Sequence, residues 1–253
     1  MAYLNNHGVK IYYEVEGHGP PILLAHGGTG DTTYWRGYGY VDRLVDDYTV
    51  ILFDARGHGK SDKPHLIDEY EPKKMVEDAV AILDALKIDI VHFWGYSMGG
   101  YTGFYLAHLY PQRIKSVIVG GSHPYEMDGS DLLKLFQLGI EDGADAAVKA
   151  MQKNMVVSPQ FEQRLRSLDF HAQAACIQGS SNRKSLAEQL PSMKMPFLLY
   201  AGDQDGDYLF EEKAAQILPN AELFGLPDLD HGSASGAVDL IMPKVKTFLA
   251  KIV

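Results

Sequence analysis

The chain has 253 residues, with 33 acidic against 23 basic side chains, a formal charge of −10, 46% hydrophobic residues and 22% charged ones. That is the composition of an ordinary globular chain, long enough to bury a sizeable core as one large domain or two small ones. The acidic balance excludes a general binder of nucleic acid or anionic membrane, which needs a positive footprint, and a lone cysteine, Cys176, excludes an internal disulfide and fits a reducing cytoplasm.

Residues 1–19 carry neither a basic start nor an apolar stretch towards a cleavage site, so no secretory leader is expected. No apolar run approaches the roughly 20 residues that span a bilayer. Two extended stretches, 3–5 and 9–15, flank Asn6-His7-Gly8, a hairpin signal. Short apolar runs follow at 22–25, 49–53, 90–94, 114–119, 197–200 and, more weakly, 221–225. Runs of this kind are what parallel strands buried on both faces look like.

Helical patterns alternate with them. Residues 72–86 put Met75, Ala79, Ile82, Leu83 and Leu86 on one face; 98–109, 210–218 and 238–252 supply three more. The alternation predicts an α/β fold with helices on both faces of a mostly parallel, twisted sheet. From 124 to about 190 the rhythm breaks: no strand-like run appears, and helical patterns at 132–140, 144–151 and 161–168 are interrupted at Gly129, Gly143, Pro159 and Gly179. This predicts a helical insertion of about 67 residues within a core formed by 1–123 and 191–253.

Gly95-Tyr96-Ser97-Met98-Gly99 lies between a strand and a helix. A nucleophile on so sharp a turn needs small residues two before and two after it. A serine needs a base, and the base an orienting acid. His231 follows the last strand in a loop; Asp203, Asp205 and Asp207 follow the strand at 197–200 and compete for the acid's place. Open α/β sheets put their sites at that strand edge. His26-Gly27-Gly28-Thr29-Gly30 follows the run at 22–25, where backbone N–H groups can face a reacting carbonyl, each such donor contributing about 3 kcal/mol.

With His26-Gly27-Gly28, Asp54-Ala55-Arg56-Gly57-His58-Gly59-Lys60-Ser61, Gly95-Tyr96-Ser97-Met98-Gly99-Gly100, Gly202-Asp203-Gln204-Asp205 and Asp230-His231, the sequence resembles the α/β-hydrolase superfamily. The likeness is to its compact capped branch of esterases, lactonases, carbon–carbon bond hydrolases and cofactor-free haloperoxidases, and spans nearly the whole chain. It implies a catalytic triad of Ser97, His231 and, through the G-x-x-D turn, Asp205. It also implies an oxyanion hole formed by the Gly28 and Met98 amides, and a helical cap at 124–190. Where the family commonly has glycine before the histidine, this chain has Asp230, which sets a carboxylate beside the base.

Together these features predict a serine hydrolase that cleaves a small carboxylic ester or lactone through an acyl-enzyme, without cofactor, metal, nucleic acid or membrane. Tyr34, Trp35, Tyr96, His123, Tyr125, Met127, Phe136, Phe161 and Phe170 are the expected pocket lining. The same triad also serves carbon–carbon bond hydrolysis of vinylogous diketones and haloperoxidase or perhydrolase chemistry. The cap offers Arg164, Arg166 and Arg183 for a substrate carboxylate. A ligand sensor on this fold is the non-enzyme alternative. Gly59-Lys60-Ser61 is no phosphate loop, because Asp54 stands where its first glycine belongs. Ser181-x-x-Lys184 lacks its companion motifs. No metal-ligand pair or dinucleotide fingerprint is found.

Overall fold

The computed structural model describes residues 1–153 and 157–252. Its strands are β1 (Ala2–Asn6), β2 (Val9–Gly17), β3 (Pro21–Ala25), β4 (Thr49–Phe53), β5 (Val91–Tyr96), β6 (Ile114–Gly120), β7 (Phe197–Gly202) and β8 (Ala221–Leu226). They form one sheet in the order β1-β2-β4-β3-β5-β6-β7-β8, antiparallel only where β2 meets β1 and β4. Asn6 pairs with Val9, which leaves His7 and Gly8 as a two-residue turn, both at positive φ as such hairpins require.

The central strands read as unbroken apolar runs because both of their faces are covered. Leu23, Ile51, Phe53, Phe93, Val117 and Leu199 pack with Val76, Ala79 and Leu83 of α2 (Pro72–Ala85) and Phe104 of α3 (Met98–Leu109). The alternate residues Ile22, Leu24, Val50, Leu52, Trp94, Ile118 and Leu198 face the other layer. They meet Trp35 of α1 (Thr33–Gly37) and Ile241, Val245 and Phe248 of what becomes the last helix, Val238–Ala250. Strand β8 ends the sheet with most of its side chains half-buried or exposed, which explains its weaker signal.

Between β6 and β7 the described residues form four α-helices: α4 (Ser130–Asp142), α5 (Ala144–Gln152), α6 (Pro159–Arg166) and α7 (Phe170–Ser181). Within the predicted insertion, residues 154–156 lie outside the described residues, as does Val253 at the end of the core segment. Glycine 179 does not interrupt a helix as expected. It sits inside α7, where a Cβ would come within 2.7 Å of the Ile67 carbonyl oxygen and the Tyr70 Cβ, so its missing side chain lets α7 press on the 67–70 turn. After β7 come α8 (Tyr208–Ile217), α9 (His231–Ser235) and α10 (Val238–Ala250). No helix among the described residues is long and apolar enough to cross a membrane.

Register decides where function can sit. Ala25 pairs with Gly95, Tyr96 with Gly120, Gly120 with Tyr200 and Gly202 with Leu226, so the parallel strands finish along one edge. Gly28, Ser97, His123, Asp205 and His231 all follow those ends within a few residues. Residues scattered over two hundred positions are thereby brought together.

Candidate active site

Ser97 stands between β5 and α3 at φ 53° and ψ −113°, outside the conformations an ordinary residue prefers. Such a backbone costs about 1–3 kcal/mol and persists only where its surroundings fix it. Here they do. A Cβ on Gly95 would lie 2.1 Å from the Gly99 carbonyl oxygen, and one on Gly99 would lie 2.1 Å from that of Ala25. The two glycines let strand, turn and helix interpenetrate, and the Ser97 amide donates to the Gly120 carbonyl at 2.8 Å.

The Ser97 Oγ is 3.1 Å from Nε2 of His231, whose Nδ1 is 2.8 Å from Oδ2 of Asp205. Since an ionised carboxylate can only accept, Nδ1 carries the proton and Nε2 faces the hydroxyl with its lone pair. Burial alone would push the Asp205 carboxyl up. The His231 hydrogen bond and charge, with the Asp207 amide on Oδ1 at 3.0 Å, hold it below its usual range instead. Burial likewise works to lower the His231 value, and the Asp205 hydrogen bond and charge, aided by Asp207 and Asp230, raise it above 6.5 overall. The imidazole is further held by Tyr96, whose hydroxyl donates to the His231 carbonyl at 2.5 Å and whose ring centroid lies 5.4 Å from the histidine ring.

Asp230, one of the charges that raise the His231 value, is itself held in place. It caps α9: its carboxylate accepts the Ser233 amide at 2.8 Å, and the Ser233 hydroxyl accepts the Asp230 amide at 2.9 Å. The D-x-x-S spacing was a sequence signal for this capping box.

On the other side of Ser97, Met98 opens α3, so its amide has no acceptor within the helix and lies at the positive end of the helix dipole. The Gly27 Cα packs beside Ser97, and the space at Gly28 is open. The glycine loop is braced by the turn after β4. Asp54 accepts the Thr32 amide at 2.6 Å and the Lys60 amide at 2.7 Å, while Nε2 of His26 accepts the Ala55 amide at 3.1 Å. Burial takes the His26 pKa down to about 4, so this histidine is neutral and structural. Arg56, wholly buried, anchors the same turn through paired contacts with Asp78 at 2.7 and 2.8 Å.

The expected pocket residues divide. Trp35 is 1% exposed and packs at 5.1–5.2 Å ring separation on Tyr34, Tyr40 and Trp94; it belongs to the core because its ring fills the layer beneath the sheet. Tyr34 is buried beside Tyr96 at 6.1 Å, and Tyr96 supports His231. Met127 lines a cleft of about 450 Å³ with Glu126, Asp128 and residues 181–184, and none of Ser97, Asp205 and His231 lines it. His123 and Tyr125 pack on Phe210. Phe136 and Phe170 pack together within the helical insertion at 6.4 Å, and Phe161 lies in the first turn of α6, where Ser158 caps its amide. From the insertion, α7 reaches the site: Cys176 Sγ lies 3.9 Å from Met98 Sδ.

One group beside Ser97, His231 and Asp205 was missed, and a second, Asp207, was weighed only as a rival for the acid's place. Glu211, fully buried in α8, accepts the Ser122 amide at 2.6 Å, and burial holds its carboxyl well above the usual range. Asp207 lies near both Asp205 and His231: one ligand-type atom from each of the three falls within 4.8 Å of the others, a separation at which a cation could be held. Two of those groups are already hydrogen-bonded to each other through the His231–Asp205 contact.

A family model described as the alpha/beta hydrolase fold matches residues 20–197. The chain belongs to that family, a class of enzymes. It is 31% identical over 218 residues to 3-oxoadipate enol-lactonase 2 of Acinetobacter baylyi, covering 79% of this chain and 80% of that one. It is 26% identical to the cis-3-alkyl-4-alkyloxetan-2-one decarboxylase of Shewanella oneidensis, covering 98% and 88%. Among solved structures, the enol-lactonase from Burkholderia xenovorans LB400 superposes with a TM-score of 0.88 at 23% identity, over 98% of this chain and all of that one.

Proposed function

We propose that this chain is a serine hydrolase acting on a small carboxylic ester or lactone. The observation that carries the reading is the continuous relay from Ser97 Oγ through His231 to Asp205, at 3.1 and 2.8 Å, on a strained turn. His231 Nε2 takes the Ser97 proton as Oγ attacks the carbonyl carbon, and Asp205 stabilises the resulting imidazolium. The Gly28 and Met98 amides receive the negative charge that gathers on the carbonyl oxygen. His231 then returns the proton to the leaving alcohol, or to the ring oxygen of an opened lactone. Water, deprotonated by His231, releases the acid from Ser97.

The helices α4–α7 serve as a cap over this edge, and α7, through Cys176 against Met98, is the part of it that meets the catalytic turn. Two relatives whose names concern lactones, an enol-lactonase and a decarboxylase of an oxetan-2-one, favour a cyclic ester over a long-chain one. The buried, reduced Cys176 fits a cytoplasmic setting. For carbon–carbon hydrolysis, two of the three arginines expected to hold a carboxylate are engaged elsewhere, while Arg164 reaches the Thr33 hydroxyl at 3.5 Å beside the glycine loop. Arg166 is bound to Glu162 and Asp145, and Arg183 is buried with its Nε on the Tyr125 carbonyl. The Ser97→Ala variant is expected to lose at least about a thousandfold in turnover of p-nitrophenyl acetate while unfolding as the parent does. Parental activity in that variant would overturn the reading.

A further inference from the structure

Asp207 occupies the N-cap of α8, a position where aspartate normally accepts an amide of the first turn, worth about 1 kcal/mol. Its side chain makes no such bond. It turns instead towards two imidazoles. One is His231, whose ligand-type nitrogen lies within 4.8 Å of a carboxylate oxygen of Asp207. The other is His123, whose Nε2 lies 3.5 Å from Oδ1 of Asp207.

The protonation of His123 follows from its own contacts. Its Nδ1 accepts the Tyr125 amide at 3.2 Å, so the proton of the neutral ring sits on Nε2 and is directed at Asp207. Burial takes the His123 pKa down to about 4, and the ring stays neutral across the working range of such an enzyme. Its place is fixed by Phe210, 4.7 Å away ring to ring. Asp207 pays for its position: burial and the Asp205 charge both push its carboxyl above the usual value.

Resting on the hydrolase reading above, we propose that Asp207, oriented by His123, is a second carboxylate for His231. It is a positioning residue that sets the pH at which the base becomes available and steadies the imidazolium formed during attack. The other groups facing this pair are known. Asp205 bonds Nδ1 directly; Asp230 caps α9 and also acts on His231; and burial pushes the Glu211 carboxyl well above its usual range. Arg183, with its Nε on the Tyr125 carbonyl, acts on Asp207 with opposite sign. Tyr96 and Ser97 are neutral. Asp207 is thus, besides Asp205, a carboxylate near His231 that is not committed to a helix cap.

The test is Asp207→Asn, a change of charge with little change of shape. A carboxylate 4–6 Å from a cation can shift its pKa by one to three units, and partial exposure puts this case near the lower end. The pKa of His231, read by NMR titration, is therefore expected to fall by about one unit. The acid limb of kcat/KM is expected to move down with it, and kcat on the plateau to drop only a few-fold. His123→Gln, which keeps a donor, should shift the limb less than His123→Phe.

An unmoved His231 titration in a folded Asp207→Asn protein would overturn the inference. So would a loss of turnover as deep as that of Asp205→Asn with the limb unmoved. The NMR readout needs no turnover. If Ser97→Ala keeps parental activity, the hydrolase reading fails, while the His231–Asp207 coupling is still measured on its own.

Discussion

The strand edge and the helical insertion are held by different kinds of force. At the edge, backbone meets backbone: Gly95 and Gly99 allow approaches that no side chain would survive, and Asp54, His26 and Tyr96 fix loops through directed hydrogen bonds. In the insertion, α4–α7 are joined by side-chain packing, such as Phe136 on Phe170, and by exposed ion pairs such as Arg166 with Glu162. Exposed pairs of that kind contribute little. The first region holds Ser97, His231 and Asp205 together through directed contacts. The second touches the first mainly through α7, where Cys176 lies against Met98.

The sharpest way to break this contrast is Gly99→Ala. A single methyl at 2.1 Å from the Ala25 carbonyl oxygen must displace β3 or α3. Expected is a loss of about 3 kcal/mol or more, read by urea unfolding, together with loss of turnover. Phe136→Ala removes a far larger group from the insertion, where the ring is 2% exposed. It is expected to cost about 3 kcal/mol, yet to change KM more than kcat, because no catalytic contact passes through it. A kcat loss matching that of the glycine variant would erase the distinction.

A smaller effect concerns pH. In the proposed mechanism His231 must be neutral to act as base, and Asp205 and its neighbours hold its pKa above 6.5. Activity should accordingly rise as pH rises through that value and be lost below it. A kcat/KM profile whose acid limb lies below 6.5 would mean that the carboxylates do not act on the imidazole as their distances imply.

Much of this was legible in the sequence, and the reasons are local. The runs at 22–25, 49–53 and 197–200 are strands because burial on both faces demands continuous apolar residues, and the predicted helix at 98–109 has the observed bounds of α3. Ser97 and His231 were named from their places just after strand ends, which is short-range information, whereas Asp205 was set apart from Asp203 and Asp207 only by the family resemblance. Asp207 and His123 were not paired, since 84 residues separate them and only the register of β6 with β7 joins them. Trp35 was misplaced because an aromatic residue just after the glycine loop reads alike whether it faces a pocket or a core. The short α9 escaped notice, although Asp230 and Ser233 marked its start.

The central claim is that Ser97 is the nucleophile, and a fluorophosphonate tests it directly. Treated with one, the protein is expected to gain the mass of a single phosphonyl group, mapped to the peptide containing Ser97, with ester turnover lost in step. The Ser97→Ala protein should gain none. An adduct that persists in that variant, or full labelling of Ser97 with turnover intact, would contradict the claim.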